Sequence, residues 1–327
     1  MRLPPFTYLR PRELGEACAL LAEHGTEAAV IAGGTDLLPK LKRRQIVARV
    51  LVGLQGIDEL REIQANGGLS IGAGVRLHEL VAHPALAGPY AALARAAGLI
   101  ASPQIRNAGT MGGNLCLDTR CDYYDRPCGW REALGFCTKA GADVCRLASG
   151  GDRCWAITTS DLAPVALALE GSVRLVSAEG ERLLPVADLY RDDGAAHLSK
   201  APGEILTRLE LPPADGLRAT YLKLRRRGSI DFPLVGVAAA VRLEEDGTCA
   251  DARLALGAVA SLPLRVSAAE ELLVGRTLEP DVIAEAAEAA AALAKPMDNT
   301  DLTPAYRKRM VRVYVTRALS ELAGLGA

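Results

Sequence analysis

Helical and strand patterns of apolar residues alternate over the amino-terminal part of the chain. Apolar residues recur at three- and four-residue spacing over 11–24, which predicts a helix that Gly25 ends. The apolar run 28–31 predicts a buried strand, and a helical pattern over 37–44 precedes a second strand candidate at 50–54. This order predicts a βαβ unit, in which both strands belong to one sheet.

The rest of the chain continues to mix the two patterns. Strand-like segments are 69–75, 173–176, 233–243 and 252–259, and helical segments are 84–98, 279–295 and 304–322. Ser102-Pro103-Gln104 is predicted to be a loop, and Pro212-Pro213-Ala214-Asp215-Gly216 is the clearest linker signal. The pattern therefore predicts a mixed helix-and-strand protein with a domain boundary near residue 212.

The composition is typical of a soluble globular protein. The chain has 327 residues, of which 50% are hydrophobic and 24% charged, and this length favours two or three domains. The 38 basic and 39 acidic residues give a formal net charge of −1, so we expect no nucleic-acid or membrane partner. No segment approaches the ~18 apolar residues of a membrane span and no signal-peptide pattern opens the chain, which predicts a cytoplasmic protein.

Two glycine-rich turns, within residues 30–38 and 107–114, are candidates for ligand binding. Glycine lets the main chain approach a ligand closely, and converging amides attract phosphate oxygens. Two such turns suit a dinucleotide, whose pyrophosphate needs several donors. A mononucleotide or coenzyme A would use the same amides, and a tight turn with Asp36 as the helix cap explains the first segment equally well.

Six of the eight cysteines are crowded into a short stretch: Cys116, Cys121, Cys128, Cys137, Cys145 and Cys154. In a reducing compartment such clusters favour metal ligation or redox chemistry over disulfides. The spacing fits neither a zinc ribbon nor a compact ferredoxin run, and it leaves an iron–sulfur cluster, structural zinc and inert thiols open. Aromatic residues in the same stretch predict a packed shell: Tyr123, Tyr124, Trp130, Phe136 and Trp155.

Four motifs in order carry a resemblance to a known family. They are Ala32-Gly33-Gly34-Thr35-Asp36-Leu37-Leu38, Thr110-Met111-Gly112-Gly113-Asn114, Ser160-Asp161-Leu162-Ala163-Pro164 and Tyr221-Leu222-Lys223. Together they resemble the FAD-binding subunits of molybdenum hydroxylases. The resemblance implies an α+β fold in which two FAD-binding lobes, 1–55 and 56–212, precede a C-terminal α/β domain, 217–327.

The same resemblance implies which residues contact FAD. The first glycine loop would hold the pyrophosphate together with the second, and further residues would contact the flavin or adenine. The implied set is Val30, Ile31, Ala32, Gly33, Gly34, Thr35, Asp36, Leu37, Ile100, Thr110, Met111, Gly112, Gly113, Asn114, Asp161, Leu206 and Lys223.

Residues 115–159 interrupt the common family plan as an insertion. Its cysteine pattern resembles the 4-hydroxybenzoyl-CoA reductase branch, whose flavoprotein subunit carries a [4Fe-4S] cluster at this place. The resemblance implies the cluster ligands Cys121, Cys137, Cys145 and Cys154. Cys116 would then be a packed thiol and Cys128 a free cysteine.

The implied role is electron relay, with no catalytic residue on this chain. Reduced ferredoxin would supply electrons that pass through [4Fe-4S] and FAD to a small subunit with two [2Fe-2S] clusters. A large molybdopterin subunit would then remove the hydroxyl group of 4-hydroxybenzoyl-CoA, within an (αβγ)2 heterohexamer. The alternatives are a subunit of an aromatic or N-heterocycle hydroxylase that passes electrons outward, and a non-catalytic, zinc-stabilised nucleotide-binding subunit.

The remaining candidates have structural explanations. The histidines His24, His78, His83 and His197 share no metal spacing and are expected to be surface or capping residues. The basic residues Arg307, Lys308, Arg309 and Arg312 are expected on a solvated helix face. The run 225–227 is expected to contact a flavin phosphate or a partner, or to be a solvated turn.

Overall fold

The computed structural model describes residues 2–325, whose strands form three separate sheets. The first sheet comes from the amino-terminal elements, which are β1 (Thr7–Leu9), α1 (Leu14–His24), β2 (Ala28–Ile31), α2 (Leu37–Lys42) and β3 (Val50–Gly53). Its strands are all parallel with β3 in the centre, because the helices carry the chain back to the starting edge. The predicted βαβ unit is confirmed, and β1 adds a strand that the pattern did not indicate.

The second sheet is antiparallel and its strands come from distant parts of the chain. The elements of this region are β4 (Ile63–Ala65), β5 (Leu69–Gly72), α3 (Leu77–Ala82), α4 (Ala91–Leu99), α5 (Pro103–Arg106), α6 (Met111–Leu115), α7 (Cys128–Ala133), α8 (Leu162–Ala168), β6 (Ser172–Ser177), β7 (Gly180–Pro185), α9 (Val186–Leu189) and β8 (Ile205–Leu211). The strand order is β4-β5-β8-β6-β7. β8 pairs with both β5 and β6, so the residues between β5 and β6 form one long connection between strands of the same sheet.

Two local predictions in this region are wrong. The helix predicted over 84–98 begins only at Ala91, because Pro84, Gly88 and Pro89 break the preceding residues into two short 3-10 turns. The predicted loop at Ser102 is the start of the one-turn helix α5. The Ser102 hydroxyl accepts a hydrogen bond from the Ile105 amide at 3.4 Å, and proline at the first helical residue favours such a start.

The third sheet carries the remaining strands and is covered by three helices. Its elements are β9 (Leu217–Leu224), β10 (Val235–Leu243), β11 (Cys249–Gly257), β12 (Leu264–Arg265), α10 (Ser267–Leu273), α11 (Pro280–Leu293) and α12 (Pro304–Ala323). Side chains of β10 alternate between two cores: Val237 and Ala239 pack with the helices, whereas Ala238 and Ala240 join the core of the second region. The third sheet therefore packs against the second region through one face and against its own helices through the other.

The domain boundaries stay a prediction, although each sheet lies within one predicted domain. The helices predicted over 279–295 and 304–322 are confirmed as α11 and α12. Over the span from residue 2 to residue 325, no helix combines the length and the apolar character that crossing a bilayer requires.

Arg307 contradicts the expectation of a fully solvated face on α12. Its side chain is completely buried and donates hydrogen bonds to the carbonyl oxygens of Ala258 at 2.6 Å and Met297 at 2.9 Å. A third carbonyl, that of Leu234, accepts at 3.2 Å. Burial lowers the pKa of this guanidinium to about 10, and the residue ties α12 to the sheet. The other three basic residues of the group are exposed as expected.

Candidate functional site

A cleft of about 490 Å³ lies where the three parts of the molecule meet. The turn between β2 and α2, the segment leading into α6, strand β8 and the loop after β9 all contribute to its lining. Its volume is within the range of about 300–1,000 Å³ that is common for ligand pockets.

The first glycine loop presents open backbone donors to the cleft. Among the described residues, no acceptor bonds the amides of Gly33, Gly34, Thr35 or Asp36. Gly34 has φ 69°, a conformation that favours glycine. A Cβ at Gly33 would lie 2.1 Å from the Ala108 carbonyl oxygen, so the two glycine-rich segments touch here. Unpaired amides that converge on a cleft are suited to binding an anion such as a pyrophosphate.

Asp36 does not cap α2, so that reading of the first loop is wrong. Its carboxylate makes no side-chain cap bond and instead pairs with Arg120 of the insertion and, at 3.3 Å, with Lys40. Two cations, the guanidinium of Arg120 and the ammonium of Lys40, therefore take up the carboxylate oxygens that a cap would offer to the helix amides.

The second glycine loop differs from the first because most of its main-chain amides are bonded within the fold, and its part in holding the pyrophosphate stays a prediction. The Met111 amide donates to Val75 O at 2.9 Å and the Gly112 amide to Ala73 O at 2.9 Å. The Gly113 amide donates to the Thr110 hydroxyl at 3.2 Å. This loop therefore shapes the wall of the cleft, and the first loop supplies the open donors.

Most of the predicted FAD contacts come together in this cleft. All of the predicted set line it except Met111 and Lys223. Met111 is fully buried in the core, and Lys223 lies behind Asp161, whose carboxylate it binds. None of the arginines in the run 225–227 is among the residues that line the cleft.

Asp161 and Lys223 form a buried ion pair at the inner wall. Lys223 Nζ donates to Asp161 Oδ2 at 3.0 Å and to Leu99 O at 3.0 Å, and the Tyr221 hydroxyl donates to Asp161 Oδ1 at 2.8 Å. Burial raises the pKa of Asp161 and lowers that of Lys223, while each charge opposes the shift of the other. Each residue of the pair depends on the other, because removing one would leave an uncompensated charge buried away from water.

Asp161→Ala is expected to lower the free energy of unfolding by about 3–5 kcal/mol, because it leaves the Lys223 charge buried and unpaired. Chemical denaturation of the apoprotein measures the loss. The matched control is Asp301→Ala, which removes an exposed ion pair with Arg226 and should leave stability nearly unchanged. Equal stability of the two variants would contradict the assigned role of the pair.

Sequence reasoning missed Thr159, Arg120 and Phe232, which also line the cleft. The Thr159 hydroxyl is buried and has no hydrogen-bond partner among the described residues. Arg120 lies over the Phe232 ring, 4.5 Å from its centroid, and so joins the insertion to the loop after β9. Thr159 directly precedes the motif that begins at Ser160, and this position was the signal in the sequence that could have indicated it as a site residue. An unpaired buried hydroxyl and a row of open amides fit a polar dinucleotide such as FAD.

A second, smaller cavity lies inside the insertion. It is lined by all four predicted cluster ligands, Cys121, Cys137, Cys145 and Cys154. Tyr123 and Tyr124 also line it, but the expected five-membered aromatic shell is wrong. Trp130 is 42% exposed and packs outside, against Tyr123, while Phe136 and Trp155 are not among the lining residues.

The other two cysteines of the insertion lie away from this cavity. Cys116 lines the larger cleft and packs against the main core, and Cys128 is the first residue of α7. All eight cysteines of the chain are free. Among residues 2–325, no three His, Cys, Asp or Glu side chains converge closely enough to hold a single metal ion.

Burial favours the protonated form of two of the cavity thiols, Cys121 and Cys154. Burial raises the pKa of Cys121 to about 12 and that of Cys154 to about 11. Backbone amides partly offset this, and the Ala156 amide donates to Cys154 Sγ at 3.5 Å. Any metal bound here must therefore displace protons from the sulfurs.

The insertion is hydrogen-bonded to all three parts of the molecule, and its contact with the second part is the Gly194 amide, which donates to Cys154 O at 2.8 Å. Its ends pair through Arg120 and Ile157, whose backbone groups exchange hydrogen bonds of 2.8 and 2.9 Å. Gln45 of the first region donates to Tyr124 O at 2.7 Å, and Asn299 near α12 donates to Trp155 O at 2.8 Å. The cavity is therefore held rigidly relative to the cleft.

His197 is buried, so the expectation of a surface or capping role is wrong for this residue. The capping role is confirmed for His83, whose side chain accepts a hydrogen bond from the Ala85 amide. His197 Nε2 lies 3.2 Å from Leu117 O, and because a carbonyl only accepts, Nε2 carries the hydrogen. Burial lowers the pKa of His197 to about 4, with Lys139 and Lys40 adding to the effect and Asp118 opposing it.

Stability of the apoprotein is expected to fall as the pH falls from about 6.5 to about 4. Over this window the unfolded chain protonates His197, whereas the folded chain keeps it neutral, so about 3 kcal/mol is lost in total. Thermal unfolding midpoints across this range measure the slope. His197→Gln retains a donor but does not titrate, and its slope should be shallower; an unchanged slope would assign the effect to other groups.

Comparison with known proteins supports the assignment of the cleft as an FAD site, and the matches cover nearly the whole chain. A model of the FAD binding domain in molybdopterin dehydrogenase matches residues 4–214, and one of the CO dehydrogenase flavoprotein C-terminal domain matches residues 219–322. The aldehyde oxidoreductase FAD-binding subunit of Escherichia coli is 37% identical over 279 residues, which cover 82% of this chain and 86% of that protein. The carbon monoxide dehydrogenase medium chain of Afipia carboxidovorans is 30% identical over 316 residues, covering 96% and 95%.

Solved structures agree with the sequence comparison. Carbon monoxide dehydrogenase from Hydrogenophaga pseudoflava superposes with a TM-score of 0.82 at 28% identity, covering 100% of both chains. Quinoline 2-oxidoreductase from Pseudomonas putida gives 0.80 at 27% identity, covering 99% of both. These matches confirm the predicted fold class, an FAD-binding domain followed by a C-terminal domain. The chain belongs to the family of FAD-binding flavoprotein subunits of molybdopterin dehydrogenases, and it is a subunit of an oxidoreductase complex.

Proposed function

We propose that this chain relays electrons outward, from a molybdenum-containing partner to an acceptor, by way of FAD bound in the cleft. Relatives are named as dehydrogenases of carbon monoxide, nicotinate and glyceraldehyde, and a dehydrogenase takes electrons from its substrate. The outward direction is therefore preferred over the reductive one. The substrate class proposed for the partner is an aromatic, N-heterocyclic or aldehyde compound.

The open amides of the first glycine loop are the observation that carries the flavin assignment. In this proposal Gly33, Gly34 and Thr35 donate to the pyrophosphate, and the Thr159 hydroxyl gives a further polar contact. Gly112 lets the wall approach closely, since a Cβ there would lie 2.6 Å from that of Ala73. Bound FAD supplies the exchange between two-electron and one-electron transfer. The chain binds and orients the cofactor, and substrate chemistry belongs to the partner.

The proposal includes a [4Fe-4S] cluster in the cysteine cavity, with Cys121, Cys137, Cys145 and Cys154 as its ligands. A four-iron cluster takes one thiolate for each iron, so its ligands surround a shared space without converging on a single point. The four thiols line one cavity in this way. The amide that donates to Cys154 Sγ is also of the kind that tunes iron–sulfur sites.

The proposed partners follow the family plan. They are a large molybdopterin subunit and a small subunit with two [2Fe-2S] clusters, in an (αβγ)2 assembly. Relatives are named as medium chains or FAD-binding subunits, which are parts of larger complexes. Free thiols are typical of a reducing compartment, so the proposal includes a cytoplasmic location.

A second candidate is the reductive function of 4-hydroxybenzoyl-CoA reductase, with ferredoxin as the donor. The specific observation in its favour is the four-cysteine cavity, which suits an additional electron carrier. The relatives named above do not include this enzyme, and their activities favour the outward direction. The same cavity serves electrons that leave the flavin.

Flavin absorbance in the anaerobically purified complex separates the two functions. Under the outward proposal, quinoline or benzaldehyde bleaches the oxidised flavin without any added reductant. Under the reductive candidate, these compounds have no effect, and 4-hydroxybenzoyl-CoA reoxidises flavin that dithionite has reduced. The latter result would overturn the outward proposal.

A further inference from the structure

A buried ammonium group faces the cysteine cavity. Lys139 lines that cavity, and its side chain is only 5% exposed. Its Nζ donates to Asp118 Oδ1 at 2.6 Å, to Gly194 O at 2.8 Å and to the Thr119 hydroxyl. The ammonium also lies 5.1 Å from the centroid of the Tyr124 ring. These contacts hold the charge beside the cavity and away from solvent.

Asp118 connects this ammonium to the larger cleft. Its carboxylate lines the cleft and pairs with Lys139 through one oxygen and with Lys40 through the other. Burial alone would raise the pKa of Asp118, but the two ammonium groups hold it well below its usual range. One carboxylate is therefore shared between two buried cations, and it offsets only part of the Lys139 charge.

A cluster held by four thiolates becomes more negative when it is reduced. A nearby cation stabilises the reduced form more than the oxidised form, and the effect is large where water is excluded. Arg146 also lines the cavity, but it is exposed and donates to the carbonyls of Leu134 and Phe136. Lys139 is thus the buried cation among the residues that line this cavity.

We propose that Lys139 is a positioning residue that raises the reduction potential of the cluster in the cysteine cavity, with Asp118 limiting the increase. This inference rests on the proposed [4Fe-4S] cluster. Because Asp118 also lines the flavin cleft, the same three charges join the electrostatics of the two cofactor sites. Within the proposal, these charges then affect the difference in potential between the two sites.

The test is a redox titration of the cluster in the anaerobically purified complex, followed by electron paramagnetic resonance. Lys139→Met should lower the reduced-to-oxidised ratio at a fixed potential about tenfold, which is about 59 mV for one electron. Asp118→Asn should move the potential in the opposite direction. Lys139→Arg retains the charge and should restore a potential close to that of the native protein.

Arg126→Met is the matched control, since it removes an exposed cation of the same insertion that stacks on Trp130 outside the cavity. It should leave the potential unchanged. Equal potentials in native protein, Lys139→Met and Asp118→Asn, with iron retained, would overturn the inference. If Lys139→Met binds no iron, the Asp118→Asn variant is the test: a higher cluster potential supports the inference, and a lower or unchanged potential overturns it. Native protein without a titratable cluster would instead contradict the proposed cluster itself.

Discussion

Gly113→Val is expected to fold normally and to retain less than about a tenth of the bound flavin. Gly113 lines the cleft in the first turn of α6, and a Cβ there would lie 2.9 Å from the Thr110 hydroxyl. The valine side chain would occupy space that the cofactor needs, and overpacking of about 1–3 kcal/mol corresponds to a loss of roughly 5- to 150-fold in affinity. Flavin released by denaturation, relative to protein, measures the occupancy.

Gly15→Val is the control for this variant. Gly15 also lies in the first turn of a helix, α1, but nothing lies within 4 Å of an added Cβ. Both substitutions carry the same helix-propensity cost, so the difference between them isolates the cleft. Flavin content equal to that of Gly15→Val would contradict the assignment of the second glycine loop to the wall of the flavin site.

Cys137→Ser is expected to lose the iron while FAD stays bound. Cys137 lines the cysteine cavity, and a serine hydroxyl is a far poorer ligand for cluster iron than a thiolate. The open amides of the first loop belong to a different part of the chain and remain intact. Iron, sulfide and flavin analysis of the anaerobically purified variant measures both cofactors.

Cys128→Ser provides the comparison, because Cys128 lies at the start of α7 and is not among the residues that line the cavity. It should retain both cofactors. If Cys137→Ser lost iron and FAD together, the two sites would not be separable. If it kept its iron, Cys137 would not be a ligand.

Local patterns were sufficient to predict the elements around the first glycine loop of the cleft. The strand, turn and helix around Gly33 are adjacent in sequence, so hydrophobic periodicity and glycine content indicate them directly. The long helices α11 and α12 were predicted for the same reason. The ordered motifs added the second loop and Asp161, which local patterns do not connect to the first loop.

Tertiary contacts decided what the sequence could not predict. Arg120 pairs with Asp36, which lies 84 residues earlier, and no local pattern indicates that pairing. Arg307 sits in a run of basic residues that resembles a solvated face, yet three backbone carbonyls from elsewhere in the fold bury it. Met111 belongs to a binding motif but its side chain packs into the core. Long-range pairing of polar groups explains the first two differences, and burial of an apolar side chain explains the third.

Cofactor content of the complex, purified without oxygen and never reconstituted, is the most direct test of the central claim that this chain carries both FAD and an iron–sulfur cluster. The expected result is about one FAD, four irons and four sulfides for each copy of the chain, after subtraction of the two [2Fe-2S] clusters of the small subunit. Zinc in place of those four irons, or a complex that contains no flavin, would contradict it.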